Sequence, residues 1–72
     1  MTKSTISLQI EMQIGQLNRA IEFSKLSFAD AYYIVFSDAP TERSVLNLLT
    51  NDEVEMHAIT RKMLVKELAN LV

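Results

Sequence analysis

One glycine, Gly15, and one proline, Pro40, punctuate a chain of 72 residues. Tight turns draw heavily on these two residue types, and an all-β fold needs many of them. So sparse a supply argues against sheets and suits a few helices joined by short connections. The expected fold is all-α, a small four-helix domain spanning 1–72 as a single unit.

Hydrophobic spacing and capping residues place the helices. The first is expected over 5–25, capped by Ser4 or Thr5. Ile6, Ile10, Ile14, Leu17 and Ile21 share one face at helical spacing. A competing period is present. Ile6, Leu8, Ile10, Met12 and Ile14 also alternate strictly with polar residues or Gly15, which is the period of a strand. The alternative is therefore an N-terminal strand at 5–14 followed by helices, a ribbon-helix-helix-like pattern. Helix is favoured, because Gln9, Glu11, Gln13, Gln16, Arg19 and Ala20 are good helix formers. The helical stripe also continues through Leu17 and Ile21, where the alternation stops.

Ser27, with Asp30 three residues on, caps a second helix over 28–37. Its core face is Phe28, Ala31, Tyr32, Val35 and Phe36. Residues 37–40 read as a stop and a restart. Asp38 is the expected cap of a third helix over 39–49, with Pro40 in its first turn and Val45, Leu46, Leu48 and Leu49 as anchors. Thr50 and Glu53 resemble a further capping box and open a fourth helix over 51–70. Its expected core face is Val54, Ala58, Val65, Leu68 and Val72, flanked by Leu64 and Leu71.

Apolar residues remain when these faces are filled. At about 100° per residue, Leu8, Met12, Phe23 and Leu26 fall roughly opposite the isoleucine face of the first helix. Met56, Ile59 and Met63 form a similar stripe on the fourth, and Tyr33 and Ile34 point away from the core of the second. Hydrophobic residues make up 49% of the chain, and a domain this short buries only about 60% of its unfolded surface. Small domains usually compensate with disulfides, a metal or oligomerisation. There is no cysteine and a single histidine, so oligomerisation is the remedy left. Burying a side chain such as Leu, Ile, Phe or Met contributes roughly 1.5–3 kcal/mol, so the seven on the stripes of the first and fourth helices contribute on the order of 10 kcal/mol before the costs of association. The expected contact surface of a homodimer, or of a complex with another protein, is Leu8, Met12, Phe23, Leu26, Ile34, Met56, Ile59 and Met63. Methionine repacks easily, which suits such a surface.

Signatures of chemistry are weak by comparison. His57 has Glu53 one turn before it and Arg61 one turn after, which reads as an ordinary charge pair on a helix surface. Asp52, Glu53 and Glu55 are explained by a helix start. One glycine cannot build a Gly-rich phosphate loop, and no serine or threonine sits in a nucleophile motif. Neither a catalytic site nor a metal or cofactor site is expected.

Nucleic acid is a possible partner but not the favoured one. The net charge is −2, and the seven Lys and Arg form no patch. A helix-turn-helix around 37–40 would offer Arg43 and Asn47 to a groove, with Glu42 opposing. A ribbon at 5–14 would offer Gln9 and Gln13. The longest apolar run, 31–36, is far short of a membrane span. No signal peptide is legible, so a cytoplasmic location is expected. The function expected is that of a small regulatory or adaptor protein without enzymatic activity, with a DNA-binding regulator as the alternative. Size and composition suit a bacterial or phage accessory protein.

Overall fold

The computed structural model describes residues 4–72, which form four helices and, among those residues, no strand. α1 spans Thr5–Glu22, α2 Phe28–Phe36, α3 Glu42–Thr50 and α4 Ala58–Leu71. The all-α expectation is met, and the strand alternative at 5–14 is not adopted: that segment lies within α1. Its alternation is a by-product of Leu8 and Met12 lying on the outer face of a helix.

Polar caps set most boundaries. Ser4 is extended and its Oγ accepts the Ser7 N–H at 3.2 Å, opening α1. Beyond Glu22, Lys25 takes a left-handed φ of 58°, and the Leu26 N–H reaches back to the Ala20 carbonyl at 3.4 Å. Ser27 Oγ then accepts the Asp30 N–H and starts α2. Ser37, left-handed at φ 61°, ends it while donating its N–H to Tyr33.

α3 begins three residues later than 39. Thr41, not Asp38, is the cap. Thr41 Oγ1 accepts the Ser44 N–H at 3.0 Å, and Ser44 Oγ accepts the Thr41 N–H at 2.9 Å. This reciprocal box satisfies two backbone donors. Asp38 instead accepts the N–H of its neighbour Ala39.

The larger correction is at α4, which begins at Ala58 and not at 51. Asn51 Oδ1 accepts the Glu53 N–H, and the Asn51 carbonyl accepts the Val54 N–H at 3.1 Å. This Asx-type turn competes locally with helix. Val54 is then buried, and the chain runs without regular structure to His57. Thr50 and Glu53 form no capping box. The Thr50 hydroxyl donates to the Leu46 carbonyl within α3.

α1 packs chiefly on α2, and α3 on α4. The shared core comprises Ile14, Leu17, Ala31, Tyr32, Val45, Leu48, Val54 and Leu64. Tyr32 stacks on Phe36 at 4.5 Å between centroids and tilts against Phe28 at 5.8 Å. Three hydrogen bonds fasten α1 and its cap to α4 and the stretch leading into it. The Ser4 N–H donates to Glu53 Oε1, the Glu55 N–H to Glu11 Oε2, and Asn18 Nδ2 to Thr60 Oγ1 at 2.7 Å. Thr60 is buried, and among the described residues no buried side-chain polar atom lacks a partner.

Several residues assigned to the core by spacing lie outside it. Ile6 is 70% exposed, and Leu46, Ala58, Val65, Leu71 and Val72 are exposed as well. Ile6 sits in the first turn of α1. Val54 packs from the loop before α4 and so does not mark the helix's buried side; within α4, Thr60 and Leu64 are buried while Ala58 and Val65 are not.

Candidate interaction surface

The eight residues expected to form a contact surface divide into two groups. Leu8 and Met12 on α1, Phe23 at its C-terminal cap, Ile34 on α2 and Ile59 on α4 are exposed; Phe23 reaches 74% and Ile59 84%. Leu26, Met56 and Met63 are half-buried and pack in part against the core. The stripe Met56, Ile59, Met63 needs residue 56 on the helix, but Met56 precedes α4. The stripe is therefore split. Met56 lines a cleft with Glu11, Glu55 and His57. Ile59 and Met63 line a separate shallow groove with Val65, Lys62 and Lys66.

The two surfaces differ in chemistry. On α1, Leu8, Met12, Gly15, Arg19 and Phe23 follow one another at helical steps of three or four along the side opposite Ile14 and Leu17. On α4, an apolar floor carries two lysines one turn apart. Tyr33 and Val65 add exposed apolar area. Val65 was assigned to the core by its spacing. The neighbouring Lys62 and Lys66 are the sequence signal that this side of α4 meets solvent.

The charge pair expected around His57 does not form on a helix, because His57 is the cap residue of α4 and makes no side-chain capping bond. Arg61 Nη1 donates to the Leu49 carbonyl at 3.1 Å, tying α4 to the end of α3. Glu53 and Glu11 accept the backbone N–H groups of Ser4 and Glu55, respectively, as described above. Asp52 lies in the turn after Asn51. Among the described residues, no three His, Cys, Asp or Glu side chains are grouped as metal ligands would be.

Of the nucleic-acid candidates, Gln9 is exposed and Gln13 half-buried on α1. The ribbon that would have aimed them both at a groove is absent. Arg43 and Asn47 are exposed one turn apart on α3. No described helix is long and apolar enough to cross a membrane. Comparison with protein-family models, curated proteins and solved structures finds no match.

Proposed function

We propose that this protein is a non-enzymatic interaction module that pairs with a second copy of itself and binds another protein. One observation carries the reading: the large apolar side chains left outside after folding. Leu8, Met12 and Phe23 on α1, Tyr33 and Ile34 on α2, and Ile59 and Val65 on α4 keep most or much of their surface in water. Single exposed apolar residues are ordinary, but sets that share a helix side mark contact sites. The sets on α1 and α4 lie on different helices and differ in charge, which suits two different occupants.

Sedimentation of the wild-type chain from about 1 μM to 100 μM tests the self-pairing part. A dimer is expected in that range. Particles of monomer mass throughout would overturn it. The Leu8→Glu/Phe23→Glu double variant is expected to sediment as a monomer with its helical circular dichroism intact.

A further inference from the structure

The single glycine of the chain has no work to do inside the fold. Gly15 lies near the middle of α1, where glycine is among the poorest helix formers. Its φ is not positive, so no turn requires it. A Cβ built there meets one atom, Arg19 Nη1 at 3.7 Å, an ordinary contact with the far end of an exposed, flexible side chain. No neighbouring helix of the same chain comes close enough to demand the missing methyl.

The surroundings of Gly15 are those of a helix crossing. Half-buried itself, it lies at the edge of the outer face of α1 between the exposed Met12 and Arg19, with Leu8 and Phe23 towards the two ends. From Leu8 to Phe23 this face is about 22 Å long at 1.5 Å per residue. Helix axes approach most closely where the residue at the crossing is small.

The charges argue for a second copy, and for one orientation. Arg19, exposed, lies four residues after Gly15, and Glu11, half-buried with its Oε2 accepting the Glu55 N–H of its own chain, lies four before. Two α1 helices running antiparallel and crossing at Gly15 bring Arg19 of each to the height of Glu11 of the other. Leu8 of each then falls level with Glu22 and next to Phe23 of the other, and the Arg19 stem lies over Met12. Parallel helices would set Arg19 against Arg19 and Glu22 against Glu22. The face is complementary to itself only when reversed, as a two-fold contact requires.

We propose that α1 is the dimer contact, antiparallel, with Gly15 at the crossing point. This rests on the self-pairing reading above, and it leaves the lysine-edged groove of α4 open for a different protein.

Two experiments test it. Gly15→Ala and Gly15→Leu both raise helix propensity, so each variant is expected to melt at a higher temperature when diluted to monomer. Gly15→Leu is nevertheless expected to weaken dimerisation about 10- to 100-fold, because it overpacks the crossing. The native chain has no cysteine, so orientation can be read from single engineered thiols. Leu8→Cys mixed with Phe23→Cys under mild oxidation is expected to give the mixed disulfide, while neither variant alone cross-links. If the wild-type protein dimerises but Gly15→Leu dimerises equally well, the crossing point is wrong. If each cysteine variant cross-links to itself, the orientation is wrong. In both cases the self-pairing reading survives. A wild-type monomer would end both.

Discussion

Leu17 and Leu64 are sealed from solvent while Ile59, five residues before Leu64, keeps 84% of its surface. Hydropathy alone ranks these residues alike, yet their substitutions are expected to differ sharply. Leu17→Ala leaves a core cavity and should cost about 2–5 kcal/mol. A chain of this size holds itself together by about 4–10 kcal/mol in all, so a urea titration should show a large loss of midpoint. Ile59→Ser should move stability by less than about 0.5 kcal/mol and act on binding instead. Asn18→Ala removes the donor to the buried Thr60 hydroxyl and should cost about 1–3 kcal/mol. Much of the core was legible in advance. Ile14, Leu17, Ala31, Tyr32, Val45 and Leu48 follow from period and are buried. The Asn18–Thr60 pair was not, because two polar residues 42 positions apart leave no trace in local periodicity.

Element boundaries show what local chemistry decides. Ser4 and Ser27 cap as their positions suggest. Thr41 outcompetes Asp38 because Ser44 can return a hydrogen bond to it. Thr41→Ala should therefore destabilise the protein by about 0.5–2 kcal/mol, and Asp38→Ala by much less, in the same titration. Thr50 and Glu53 match a capping pattern, but Asn51 pre-empts it with its own turn, so the fourth helix begins at Ala58. A helix from 51 would carry Val54 and Met56 and place Val65 and Val72 on the core side; with Val54 and Met56 in the loop, Leu64 is the residue of α4 that is sealed from solvent. The α1 part of the candidate surface needed no such correction, since Leu8, Met12 and Phe23 are exposed where the outer face of one long helix places them.

At the scale of the whole molecule, the accessible surface is 5222 Å², and a standard interface takes about 800 Å² from each partner, roughly a sixth of this one. Two such contacts, one on α1 and one on α4, would together take about a third of it. The Ile59→Glu/Val65→Glu variant is accordingly expected to keep its dimer mass in sedimentation while losing a bound protein. The way the helices pair has a further consequence, in time. Each helix packs mainly on its neighbour in sequence, α1 with α2 and α3 with α4. Such local topologies fold in microseconds to milliseconds. The two helical hairpins need little chain closure, whereas the bonds from α1 to Glu53, Glu55 and Thr60 span more than 40 residues. In a temperature-jump experiment, Asn18→Ala should accelerate unfolding and leave the refolding rate nearly unchanged. The fastening of one hairpin to the other would then be the last event on the way in and the first on the way out.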